Sequence, residues 1–191
     1  MTVEPLALDI LVVCRANECR SPATAAVLHR ELSARGIAAK VRSAGIRAQV
    51  GHPADPVMAE LLSRRGLDLT RHASQQADHA TATGVSLVIT ASRAHLRVLV
   101  ADLGASFNRS FTLRELARRA ERVPPRQPNE ALDDWLMRLG EGRSPGDLLG
   151  RDAADDLADP TGREQRDYVE CLAQIERSVG VICERGRFGP S

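Results

Sequence analysis

The run Cys14-Arg15-Ala16-Asn17-Glu18-Cys19-Arg20-Ser21 has the form C-x5-R-S, and each residue type in it suits the handling of a tetrahedral oxyanion. A short loop wrapped around an anion turns its backbone N–H groups inward as a nest. A helix beginning just after the loop adds the positive end of its dipole. Arg20 carries a planar fork of donors that matches two phosphate oxygens. Cys14 falls at the base of the loop, where the same field favours a thiolate over a thiol. Ser21 is placed to give its hydroxyl hydrogen to that sulfur. Asn17 suits the left-handed backbone that a tight nest requires. The chemistry implied is nucleophilic attack on a phosphorus centre, with Cys14 as the attacking group and Arg20 holding the oxygens.

Such a loop works only if a strand and a helix hold its two ends. Residues 6–13 form a nearly unbroken apolar run, interrupted by Asp9, as expected of a buried parallel strand. Ser21-Pro22 reads as a helix start, with Ser21 at N-cap and Pro22 at the first helical position, and Gly36 as the stop. Further strands are expected at 39–43, 85–90 and, shorter, 107–112. Helices are expected at 53–65, after Ser92, after a Thr112/Glu115 capping box, after Asn129 and over 166–185. Residues 140–160 are polar and rich in Gly and Asp, and read as a long loop of the kind that is often functional. The alternation predicts an α/β fold: a three-layer, doubly wound, four-stranded parallel sheet with helices on both faces. In such sheets ligands bind beyond the carboxyl ends of the strands, where the loop from Cys14 lies.

Bulk properties narrow the function classes. The chain has 191 residues and reads as one domain, with 43% apolar residues and a net charge of +1. That balance argues against a nucleic-acid binder. No apolar run reaches membrane-spanning length, and the first residues do not resemble a secretion signal. Four cysteines, Cys14, Cys19, Cys171 and Cys183, do not form a disulfide framework in a chain this long, and a reducing cytoplasm is expected. Cys171 and Cys183 fall on one predicted helix, about 18 Å apart, and read as core residues. The five histidines lack zinc-ligand spacing, so neither a metal nor a cofactor is expected. Arg118, Arg119 and Arg122 read as a solvated face or as helix-end charges. Asp152, Asp155, Asp156 and Asp159 share the long loop, and spacing alone does not choose a proton donor among them.

The segment from Val12 to Pro22 resembles the signature loop of low-molecular-weight protein tyrosine phosphatases. Ser43-Ala44-Gly45, Gly51-His52-Pro53-Ala54-Asp55-Pro56, Gly66-Leu67-Asp68-Leu69 with His72, and Asp159-Pro160 match further family segments in the same order. The region from about 105 to 155 matches least and reads as a partly divergent insert, although Phe111 to Glu115 resembles a segment of actinobacterial members. The resemblance implies a metal-independent phosphomonoester hydrolase that works through a phosphocysteine. Cys14 would be the nucleophile and Asp159 the general acid, with Ser43 and His72 supporting the loop. Its partner would be a phosphorylated protein or a small phosphomonoester. Cys19 has two readings: an ordinary buried thiol, or, by resemblance, the partner of Cys14 in a reversible disulfide.

Three positions depart from the family pattern. Thr161-Gly162 follows Asp159-Pro160 where aromatic residues usually stand. Glu18 replaces a small or apolar loop residue, and is expected either to turn to the pocket mouth or to pair outward with Arg15 or another arginine. Ala91-Ser92 replaces Met-Asp after the third strand. The rival readings are a non-catalytic oxyanion-binding or partner-docking protein with the same loop, and an arsenate reductase. The latter would need additional cysteines mid-chain, and none lies between Cys19 and Cys171.

Overall fold

The computed structural model describes residues 8–150 and 152–188. Its centre is β1 (Leu8–Cys14), whose residues Ile10 to Val13 are almost wholly buried because strands flank it on both sides and helices cover both faces. The first two residues of the predicted strand lie outside the described residues. On one side β1 pairs with β2 (Ala39–Gly45), in a register that runs from Leu8 opposite Ala39 to Cys14 opposite Gly45. On the other side it pairs with β3 (Leu87–Thr90), which in turn pairs with β4 (Ser110–Thr112). Every pairing is parallel and the order is β2-β1-β3-β4. The chain steps from β1 one way to β2 and then the other way to β3. The end of β1 is therefore the switch point, and Cys14 is its last residue.

Successive residues of a strand face opposite ways, so β1 supplies two cores. Ile10, Val12 and Cys14 face α1 (Arg20–Ala34), α2 (Pro56–Ser63), α5 (Leu113–Arg122), α6 (Leu132–Gly140) and α7 (Gln165–Gly186). Leu11 and Val13 face the other way, against the layer formed by the short α3 (His79–Ala82) and by α4 (Arg93–Ala101). Residues 105–155 hold β4, α5 and α6, and place Phe111, Leu116 and Trp135 in the larger core.

Several helix ends differ from expectation. Helix α1 begins at Arg20, one residue before the predicted cap, and Ser21 lies in its first turn with its hydroxyl turned to the loop. Helix α2 starts at Pro56 rather than at Pro53, because the Asp55 carboxylate accepts from the N–H groups of Val57 (3.0 Å) and Met58 (3.1 Å). Helix α6 starts at Leu132 after Ala131, without a side-chain cap, so Asn129 does not cap it. Ser92 and the Thr112/Glu115 box cap α4 and α5 as predicted. Gly36, at φ 69°, closes α1 in the left-handed conformation glycine adopts without strain.

Candidate active site

The loop joining β1 to α1 is held from outside through its carbonyl groups. Cys14 O accepts from Ile46 N (3.0 Å), Arg15 O from Arg47 N (2.8 Å), Glu18 O from Asp55 N (2.8 Å) and Cys19 O from Ala23 N (3.2 Å). Asn17 O takes two donors, His72 Nε2 (2.6 Å) and the Ser74 hydroxyl (2.9 Å). Five of the loop's carbonyls, those of Cys14, Arg15, Asn17, Glu18 and Cys19, are thus engaged by protein donors. No backbone N–H of residues 15–19 donates to a protein acceptor among the described residues. That is the polarity of an anion nest.

Asn17 organises the loop. It is fully buried, at φ 60°, in the left-handed region expected for it. Its Nδ2 donates to the hydroxyls of Ser21 and Ser43, each at 2.9 Å, and its Oδ1 accepts from Gln75 N at 2.8 Å. The residues expected to support the loop, Ser43 and His72, therefore meet on Asn17. Ser74 and Gln75 join them without having been anticipated, because a serine and a backbone amide carry no sequence signal for this task. Ala16 is half-buried and Arg15 is exposed at the loop's outer edge.

Cys14 Sγ stands 3.0 Å from Ser21 Oγ, and the same hydroxyl reaches Ala44 O at 3.2 Å. One hydroxyl hydrogen thus has two acceptors. A thiol at Cys14 can donate to Ser21 while Ser21 donates to Ala44; a thiolate draws the Ser21 hydrogen to itself. Arg20 is 6% exposed; its Nη1 donates to Leu157 O at 3.1 Å and its Nη2 forms an ion pair with Asp159 Oδ2. These contacts leave three of its five N–H donors for a ligand.

Of the four loop aspartates, only Asp159 joins Arg20. Asp155 is 1% exposed and lies between Arg93 Nη2 (2.7 Å) and Arg118 Nη2 (2.5 Å). Asp156 accepts from Arg93 N at 2.8 Å, and Asp152 pairs with Arg93 at 2.9 Å. Arg118 and Arg119 are accordingly not a solvated face. Arg118 reaches buried Asp155, and Arg119 reaches Glu115 (3.0 Å), because unpaired carboxylates at these depths would be costly.

Against this geometry the comparisons are specific. The sequence profile described as low molecular weight phosphotyrosine protein phosphatase matches residues 9–124, a span that includes the loop, Ser43 and His72. A probable low molecular weight protein-tyrosine-phosphatase, EpsP of Ralstonia nicotianae, is 35% identical over 93% of this chain and 95% of its own length. The chain belongs to this family. Another relative, a protein-arginine-phosphatase of Bacillus subtilis, is 30% identical over 56% of this chain and 71% of its own length. A crystal structure of a low molecular weight protein tyrosine phosphatase from T. tengcongensis superposes with a TM-score of 0.70 at 22% identity, covering 93% of this chain and 98% of that one. Family membership makes the protein a cysteine-dependent phosphatase.

The departures from the family pattern can now be located. Among the described residues Glu18 pairs with neither Arg15 nor another arginine; its carboxylate lies 3.4 Å from His52 Nδ1, and both side chains are partly exposed. The turn that precedes α2 brings His52 there, with Asp55 N tied to Glu18 O and His52 O accepting from Ser74 N. After Asp159, Gly162 N donates to the hydroxyl of Tyr168 (3.2 Å), which itself donates to Asp55 Oδ2 (3.0 Å). The chain's single tyrosine is thus a buried strut between the loop after Asp159 and the start of α2. Ser92 caps α4 and holds His95 Nδ1 at 2.9 Å. Cys19, Cys171 and Cys183 are buried free thiols; burial pushes Cys171 and Cys183 up to about 12 and raises Cys19 further, with Cys171 adding to the effect on Cys19. No cluster of potential metal ligands and no helix long and apolar enough to cross a membrane occurs among the described residues.

Proposed function

We propose that this enzyme hydrolyses phosphorylated side chains of proteins through a phosphocysteine at Cys14. The observation carrying this is the placement of Cys14 Sγ, 3.0 Å from Ser21 Oγ, beneath a loop with its carbonyls tied outward and Arg20 and Asp159 joined beside it. The Cys14 thiolate attacks phosphorus in line. An S–P bond forms, the P–O bond to the substrate breaks, and Asp159 gives its proton to the departing oxygen. The loop amides and the remaining donors of Arg20 hold the equatorial oxygens. Water then attacks the phosphocysteine, Asp159 takes a proton from it, and sulfur leaves as a thiolate with the Ser21 hydroxyl hydrogen turned to it. Asp159 is paired with Arg20. Four unbridged thiols, one of them the nucleophile, support a reducing, cytoplasmic setting.

The test is turnover of two aryl phosphates. Cys14→Ser is expected to abolish hydrolysis of both while the fold persists. Asp159→Asn is expected to lower kcat/KM by about 10² to 10⁴-fold on phenyl phosphate and far less on p-nitrophenyl phosphate, whose leaving group needs no proton. Wild-type turnover by Cys14→Ser would refute the nucleophile, and equal losses on the two substrates would refute the donor.

A second substrate, phosphoarginine, is favoured by the rim. Glu18, with His52 beside it, stands where the family has a small or apolar residue, and Thr161-Gly162 replaces the aromatic wall that suits a phenyl ring. A carboxylate there attracts a guanidinium attached to the phosphate and repels acidic peptides. Glu18→Ile is expected to shift preference from phosphoarginine or basic phosphopeptides toward phosphotyrosine. An unchanged ranking of basic, neutral and acidic substrates would remove Glu18 from substrate reading.

A further inference from the structure

The geometry points to Asp155 as the residue that positions the proton donor, an inference that rests on Asp159 being that donor. The acid lies at the end of a strap, residues 155–159, with neither helix nor strand in it. Only anchors to neighbouring elements fix where Asp159 sits. Four of them are backbone contacts: Asp155 O accepts from Thr112 Oγ1 (2.7 Å), Asp156 O from Arg114 Nη1 (3.0 Å) and Leu157 O from Arg20 Nη1 (3.1 Å), and Leu157 N donates to Ala91 O (2.8 Å). Besides the pair of Asp159 with Arg20, the ionic anchor of the strap is Asp155. Its Oδ2 takes Nε (3.2 Å) and Nη2 (2.7 Å) of Arg93 from α4, and its Oδ1 takes Nη2 (2.5 Å) of Arg118 from α5. One carboxylate thus ties the strap to the helices that follow β3 and β4.

The placement of the arginines supports a dedicated clamp. Arg93 is the first residue of α4 and Arg114 lies in the first turn of α5, where the helix dipole disfavours a cation. Both side chains are turned to the strap instead. A carboxylate 1% exposed is costly unless fully paired, and removing its charge takes the carboxylate from Arg118 and leaves Arg93 with Asp152 alone. Two residues on, Leu157 O accepts from Arg20 Nη1. The strap therefore connects the clamp to the phosphate-binding arginine and ends, two residues later, on the acid. Asp155 touches no substrate; it acts through the placement of Asp159.

The experiment compares Asp155→Asn, Asp159→Asn and the double variant, with kcat/KM on phenyl phosphate and p-nitrophenyl phosphate and inhibition by inorganic phosphate. A thermal melt and near-ultraviolet circular dichroism report folding. Asp155→Asn is expected to lose about 10 to 100-fold on phenyl phosphate and under about 3-fold on p-nitrophenyl phosphate, as partial loss of a contribution of about 10² to 10⁴-fold. Phosphate inhibition should stay within about 2-fold. In the Asp159→Asn background the added change should have no leaving-group dependence, since both act on one step. If Asp155→Asn does not fold, Arg118→Ala, which leaves Arg93 on Asp155, is expected to give the same pattern at about 3 to 10-fold. Equal losses on both substrates, or an undiminished effect in the Asp159→Asn background, would overturn the positioning role. If Asp159→Asn itself shows no leaving-group dependence, the donor assignment falls and the inference with it.

Discussion

Gly45 offers the sharpest test of how the fold shapes the site. It is the last residue of β2 and lies opposite Cys14 in the register. A Cβ added there would stand 2.6 Å from Arg15 O, 2.8 Å from Ala16 C and 2.8 Å from Asn17 N. All three are backbone atoms of the phosphate loop, so no side chain can swing aside. Restoring an ordinary contact of 3.4 Å to Arg15 O requires a displacement of about 0.8 Å. The strand end resists moving, because Gly45 N donates to Gln75 O and Gly45 O accepts from Ala77 N, each at 2.8 Å. The loop is therefore the part that shifts in Gly45→Ala. Overpacking of this kind costs about 1 to 3 kcal/mol, and a misplacement near 1 Å at a reacting centre costs about 10²-fold in rate. The expected result is a loss of about 10²-fold in kcat/KM on p-nitrophenyl phosphate, weaker inhibition by phosphate, and a melting point lower by about 2–4 °C per kcal/mol. A Gly45→Ala enzyme with wild-type kcat/KM would show that the amides of residues 15–17 do not hold the transferred group.

Arg20→Lys is expected to lose at least about 10²-fold in kcat/KM, since one ammonium cannot replace a planar fork while also meeting Leu157 O and Asp159; near-normal kinetics and phosphate affinity would refute bidentate binding. Stability should fall with pH in two stages. Burial, with Arg20 adding to it, depresses His95 to about 4, so the unfolded chain binds the proton first and stability drops as pH falls from about 6.5 toward 4. Between pH 7 and 5 that amounts to about 2 kcal/mol, an order-of-magnitude figure that denaturant titration of wild type and His95→Asn would check; identical slopes would refute it. At Asp155 burial opposes the charge, but hydrogen bonds from Arg118 and Arg93 outweigh it and hold the pKa below the usual carboxylate range. Its contribution is therefore complete above about pH 4 and lost below, where release of the strap should accompany acid unfolding.

The sequence was most legible where one signal had one cause. An apolar run such as Ile10 to Val13 has few homes other than a doubly covered strand, and C-x5-R-S after it placed the loop at the switch point. Asn17 adopted the left-handed backbone expected of it. Thr112 and Glu115 are close in sequence, so their capping box was visible before any tertiary contact was known. Errors arose where a residue had two possible uses. Ser21 was an excellent cap by type, yet tertiary contacts with Cys14, Asn17 and Ala44 claim its hydroxyl. Asp55 took the capping role in α2 that proline alone could not reveal.

The acid side of the site was legible only by resemblance, because nothing local distinguishes Asp159 from Asp152, Asp155 or Asp156. What separates them is which guanidinium each meets, and those partners lie far away in sequence: Arg20 is 139 residues from Asp159, and Arg93 is 62 from Asp155. One weak sequence signal did exist. Arg93 follows the capping Ser92, and Arg114 follows the capping Thr112 within two residues, so both begin helices with the charge the dipole disfavours. A cation retained at such a position calls for an anion or carbonyl from elsewhere, and the aspartate-rich stretch from 152 to 159 was the available source. The C-x5-R-S loop carries its instructions in consecutive residues; the anchors of residues 155–159 are written as cations at the starts of two helices and are readable only once the sheet brings them together.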